Sequence, residues 1–145
     1  MFLSIDYGKK RIGLALGQIF PRGMGVVDGA KIGSAIQNIA EICQKNEVEA
    51  VVLGWPIRSA GEEGTLAPEI REFGQRVSNE TGLPIYLEPE QYTSTEAASF
   101  LQQNHKKPEY GQTDEIAAIL ILEQFLAQRR EDSNLKPAIV PQEQK

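Results

Sequence analysis

The stretch Glu49–Pro56, EAVVLGWP, is an almost continuous apolar run stopped by Gly54 and Pro56. Strands with one wet face alternate apolar and polar residues, so a run without alternation marks a strand buried on both faces. The segments around it read as partners. Leu3–Asp6 and Ile12–Leu16 are short apolar runs joined by a Gly/Lys turn, which predicts two antiparallel strands, and Gly23–Val27 adds a third to the meander. Over Lys31–Asn46 the period becomes helical, with Ile32, Ile36, Ile39 and Cys43 on one stripe. A second helix is expected over Pro68–Ser78, closed by Thr81-Gly82, and LPIYL forms a strand ending beside Glu88, Pro89 and Glu90. Thr93 and Glu96 have capping-box spacing before Ala97, Phe100 and Leu101, and Pro108 and Gly111 break that helix. Thr113 is an N-cap for a last helix whose run Ile116–Leu122 is apolar all round and must be buried on most sides. Strands alternating with helices after a hairpin start specify an α/β chain with a mixed sheet. At 145 residues there is room for one sizeable core. That domain is expected to run to about residue 130, followed by a polar, turn-rich tail over 131–145, expected to be loose or to dock only weakly.

Several function classes drop out. No apolar run reaches the ~20 residues that cross a bilayer, and MFLSIDYG lacks a basic leader and a cleavage site, so no membrane partner and a cytoplasmic location are expected. Cys43 has no second cysteine with which to form a disulfide, and with the single His105 it cannot build a Cys/His zinc site. Any metal must therefore sit among oxygens. A net charge of −5 argues against a protein that holds nucleic acid by bulk charge, yet an acidic site that takes a divalent cation contributes to that count. The cations fall in short groups: Lys9, Lys10 and Arg11; Arg58 in the glycine-rich IRSAGEEG loop; Lys106 and Lys107; Arg129 and Arg130. The usual meaning of each such short run is a solvated surface.

The opening LSIDYGKKRIGLALG places Asp6 at the end of an apolar run, followed by Gly8 and three cations. Asp6 can simply begin a hairpin turn, or it can hold a divalent cation against a phosphate. Glu90 stands just beyond a later strand and Asp114 in the first turn of the apolar helix. Taken singly, Glu90 fits an exposed loop, while Asp114, like Glu115, suits the helix dipole. As a set at two strand ends and a helix start, where α/β sheets open their ligand crevice, the three acids suit octahedral Mg²⁺ ligation. Two ions in such a site divide water activation and leaving-group stabilisation between them.

Four stretches in this order resemble the YqgF family of RuvC-like proteins, in the ribonuclease H-like superfamily. They are IDYGKKRIGLAL, VVLGWPIRSAGEEG, TGLPIYLEPEQYTSTEA and TDEIAAILIL, matching the family's opening hairpin, its Gly-x-Pro strand end with glycine-rich loop, its Asp-Glu-Arg-x-Thr segment and its Asp-x-x-Ala-Ala helix. The resemblance implies a five-stranded mixed sheet, its first three strands antiparallel, with helices on both faces. It implies Asp6, Glu90 and Asp114 as catalytic metal ligands for Mg²⁺ or Mn²⁺, as two ions, with Gly8 allowing a tight turn and Thr93 and Ser94 opening a helix. Pro89 and Gln91 stand where the family usually has an acid and an arginine, and Gln18 where an aspartate often ends the second strand.

The function so implied is a metal-dependent endonuclease acting on structured nucleic acid, first of all in maturing the 5′ end of the 16S ribosomal RNA precursor. Lys9, Lys10, Arg11, Arg58, Lys106 and Lys107 would contact phosphates, positioning the strand without reading bases. The partners expected are structured RNA or branched DNA and a ribosomal precursor particle, with a monomer as default. Three rivals stay open: a Holliday-junction resolvase, which needs two sites related by a two-fold axis; a ribosome-assembly binding module without catalysis, suggested by Pro89 and Gln91; and an actin-like nucleotide binder, which needs a second domain. Trp55 and Tyr92 could stack on bases or pack at the sheet edge, and His105 reads as a loop residue.

Overall fold

The structure, a computed structural model, describes residues 1–56, 66–90 and 112–142, with the backbone alone for Glu90, Gln112 and Thr113. The elements run β1 Phe2–Asp6, β2 Arg11–Gly17, β3 Arg22–Asp28, α1 Ile32–Lys45, β4 Ala50–Pro56, α2 Ala67–Thr81, β5 Ile85–Glu90 and α3 Gln112–Glu131. They build a five-stranded sheet of order β3-β2-β1-β4-β5. The first three strands pair antiparallel; β4 lies parallel to β1, and β5 parallel to β4. This is the expected mixed sheet, with helices on both faces. The helix expected after Thr93, together with Arg58, Gln91, Tyr92, His105, Lys106 and Lys107, lies outside the described residues.

The two faces bury separate cores. Leu3, Ile5, Leu14, Leu16, Val51 and Leu53 pack beneath α1 and α2, whereas Phe2, Ala15, Ala50 and Val52 pack beneath α3. β4 feeds both cores, which is why its sequence does not alternate. On α3, Ala118, Ile121, Leu122, Phe125 and Leu126 are all buried, and Phe125 meets Phe2 edge-on and Tyr86 at a tilt, with ring centroids 5.3 and 5.1 Å apart. Cys43 belongs to the α1 core, where burial pushes its thiol up to about 12. Trp55 packs as well: it is buried, with the Arg71 guanidinium 5.1 Å over its ring. Among the described residues no helix is long and apolar enough to cross a membrane.

Two boundaries differ from expectation. β5 does not stop at Leu87 but continues through Glu88 and Pro89 to Glu90, because β4 offers Gly54, Trp55 and Pro56 in parallel register. A proline is tolerated there because β5 is an edge strand. Thr113 is the second residue of α3, not its cap. The tail, expected to be loose or to dock only weakly, makes one isolated bridge at Ile139: Ile85 donates its N–H to the Ile139 carbonyl at 2.8 Å, and Ala138 and Ile139 both donate to the Ile85 carbonyl. Ile139 is buried against α2 at Gly74. An edge strand leaves backbone groups unpaired, and the buried Ile139, with Leu135 packed against the α3 core, brings the chain back to cover them.

Candidate active site

Strand parity sets the site. Phe2 packs on Phe125, and Ser4 donates its Oγ hydrogen to the Ala118 carbonyl at 2.7 Å, so the even residues of β1 face α3. Asp6 follows on that face, half-buried at the strand end. Its ladder partner on β2 is Gly13. A Cβ on Gly13 would overlap the carbonyl oxygen of Asp114, so the first turn of α3 rests directly on the strand at that point. Only glycine permits so close an approach. Asp6 and Asp114, distant in sequence, are thus brought to the two sides of one residue.

The cations divide. Arg11, the first residue of β2, donates Nε–H to Asp114 Oδ2 at 2.9 Å, a part-buried, charge-assisted bond. Lys9 and Lys10 are exposed in the β1–β2 turn beside Asp6, and the Lys10 carbonyl accepts the Gly29 N–H at 2.9 Å, bracing that turn against the end of β3. Arg129 and Arg130 lie in the last turn of α3, with Arg129 4.8 Å over the Phe2 ring, at the opposite end of β1 from Asp6.

On β5 the acid level with Asp6 is Glu88. Ile5 pairs with Leu53 and Leu53 with Leu87; the next row brings Asp6, Gly54 and Glu88 abreast, whereas Glu90 ends the strand opposite Pro56, about 7 Å further along. Glu88 is buried, and Gln124 of α3 donates its side-chain amide both to Glu88 Oε1 and, at 2.8 Å, to the Pro89 carbonyl. Burial pushes the Glu88 carboxyl above its ordinary value, while hydrogen bonds from Gln124 and Gln128 pull it back. Reading the sequence for acids at element ends overlooks this residue; the signal was an acid directly after the apolar strand LPIYL. Glu115, which the sequence assigns to the helix dipole, instead reaches from the first turn of α3 to accept the Gly25 N–H of β3.

The donor set is all oxygen, which suits a hard divalent cation and excludes a thiolate site, since Cys43 is buried under the other face. Among the described residues no three acids, cysteines or histidines converge; Asp6 and Asp114 are the two sequence-predicted acids brought beside one another, while Glu90 is described by its backbone alone. A surface cleft between α1 and α2, lined by Gly33, Gln37, Arg76 and Glu80, lies on the far face and shares none of these groups.

Comparison with known proteins decides the family. The sequence profile described as "RuvX: Holliday junction resolvase" matches residues 1–128. The chain belongs to the RuvX family, also called YqgF. Among RuvX relatives, one from Crocosphaera subtropica named "Putative pre-16S rRNA nuclease" is 33% identical over 133 residues, covering 88% of this chain and 93% of its own. One of the same name from Chloroflexus aurantiacus is 30% identical, covering 92% of this chain and 91% of its own. The RuvC structure of Thermus thermophilus superposes with a TM-score of 0.59 at 16% identity, covering 94% of this chain and 98% of that one, a likeness of fold. The RuvX chain is therefore built on the ribonuclease H-like sheet expected of it.

Proposed function

We propose that this protein is a divalent-cation-dependent endonuclease acting on structured RNA, with the 16S ribosomal RNA precursor as its substrate. The observation that carries the proposal is the convergence of Asp6 and Asp114 on Gly13 at the open end of β1. Support comes from the family and from the name its relatives bear. Asp6, Asp114 and Glu90 would hold Mg²⁺ or Mn²⁺, which when bound polarises the scissile phosphate and makes water nucleophilic at neutral pH. Lys9 and Lys10, exposed beside Asp6, place positive charge where a phosphate backbone would approach the acids. Arg11 holds the Asp114 carboxylate back toward β2. Arg58, Lys106 and Lys107 would extend the phosphate contacts. In-line attack at phosphorus would leave a 5′ phosphate and a 3′ hydroxyl. The protein would work in the cytoplasm, on the precursor particle, as a monomer.

A second reading, junction resolution, is favoured by the family description. Both are tested by calorimetric Mn²⁺ titration of the wild type and Asp6→Asn, with cleavage assays on precursor rRNA and a four-way DNA junction. The expected result is that Asp6→Asn keeps the wild-type circular dichroism spectrum but neither binds Mn²⁺ nor cuts RNA. Junction cleavage in preference to RNA would select the resolvase. Binding of RNA without cleavage in any divalent metal would select the binding module, and an active Asp6→Asn protein would remove Asp6 from the site.

A further inference from the structure

β3 carries one residue more than the strand it pairs with: Gly13 faces Val26 and Ala15 faces Gly23, so Met24 and Gly25 together oppose Leu14. Such a bulge takes backbone groups out of the ladder, and here Gly25 adopts φ 81°, a conformation that L side chains rarely adopt. The amide of Gly25 is donated to Glu115 Oε2. Gly23 completes the cradle, since a Cβ there would overlap the Glu115 side chain. Glycine, Met24 and glycine in RGMGV thus make a slot for one carboxylate.

That carboxylate belongs to the neighbour of Asp114. Two consecutive residues of the first turn of α3 are therefore pinned to two different strands: the Asp114 backbone on Gly13 of β2, the Glu115 side chain on Gly25 of β3. Favourable interaction with the helix dipole needs no partner on another element, yet Glu115 reaches across to one. Gly13 is also the ladder partner of Asp6, so whatever fixes this turn against β2 fixes the separation of the two acids.

We propose that Glu115 is a positioning residue: by occupying the bulge of β3 it locks the first turn of α3 and sets where Asp114 stands relative to Asp6. The inference rests on the nuclease reading for its consequence in catalysis, but not for its geometry. Groups that orient metal ligands typically change metal affinity or activity by about 10- to 100-fold when removed. Gln can still accept the Gly25 N–H through its amide oxygen, so the charge is dispensable where the hydrogen bond is not.

The test compares full-length wild type, Glu115→Ala and Glu115→Gln. In metal-free protein, NMR follows hydrogen exchange of the Gly25 amide and of Arg11 Nε–H, the latter reporting the position of Asp114. Mn²⁺ calorimetry, kcat and KM on precursor rRNA, and Tm complete the set. Glu115→Ala should release both protons to fast exchange, weaken Mn²⁺ binding and lower kcat by about 10- to 100-fold, and leave KM unchanged, with Glu115→Gln recovering most of each. If Gly25 exchanges fast while Arg11 Nε–H stays as in the wild type, Glu115 is a structural tie and the proposal fails. A Gly25 amide equally protected in Glu115→Ala also overturns it. Should the wild type neither bind Mn²⁺ nor cut RNA, the nuclease reading fails, and the two NMR signals still decide the positioning.

Discussion

Gly13 is the residue at which Asp6 and Asp114, far apart in the sequence, are brought side by side. Replacing it by alanine inserts a Cβ into the space of the Asp114 carbonyl, and a backbone atom cannot rotate out of the way. Gly13→Ala should therefore cost about 1–3 kcal/mol in urea unfolding, the range for overpacking a close contact. It should also weaken Mn²⁺ binding, because the helix end must lift from Asp6. A Gly13→Ala protein with wild-type stability and metal affinity would show that α3 is free to shift at this point. Asp6 and Asp114 could be singled out from their places beside turns and in a first helical turn. Glu115 could not, because an acid in a first turn has an adequate local explanation, and its partner Gly25 is known only once β3 is laid beside α3.

Among the elements, α3 joins stability to chemistry. Its middle and end fill the core beneath Phe2, Ala15 and Val52, while its first turn carries Asp114. Phe125 is the anchor, buried between the Phe2 and Tyr86 rings. Phe125→Ala should cost about 3–5 kcal/mol, the range for emptying an aromatic site in a core, measured as a fall in urea midpoint at unchanged slope. A change below ~1 kcal/mol would mean that the helix is held chiefly by its first turn. The all-apolar run Ile116–Leu122 announced a buried helix, and that reading holds, since Ile116, Ala117, Ala118, Ile121 and Leu122 are all buried. Which sheet face would take it was not readable, because a helix apolar all round has no directional stripe. The extension of β5 was equally hidden: Glu88, Pro89 and Glu90 read locally as a loop and become strand only because β4 offers them a ladder.

At the scale of the whole molecule, folding confines Glu88 beneath α3, and that links stability to pH. Its carboxyl is raised above the ordinary 4.5, so the folded chain keeps the proton at pH values where the unfolded chain has released it. The contribution to stability is complete below 4.5 and is lost as pH rises through the folded-state value. Glu88→Gln cannot ionise and can still accept from Gln124. Its Tm should therefore gain on the wild type as pH is raised from 4.5 toward neutrality; parallel Tm curves would show that Glu88 ionises alike in both states.

From local patterns the chain announces the order of the described elements, the antiparallel start and the doubly buried β4, and it marks Asp6 and Asp114 as candidate acids, because periodicity, turn residues and element ends are local properties. Tertiary structure alone decided that Arg11 would grip Asp114, that Gln124 would hold Glu88, that Glu115 would fill the β3 bulge, and that Ile139 would close the sheet edge. Each of these joins groups on different elements. Their energy depends on distance, burial and register, which come into being only when the sheet is assembled and its helices are laid on it.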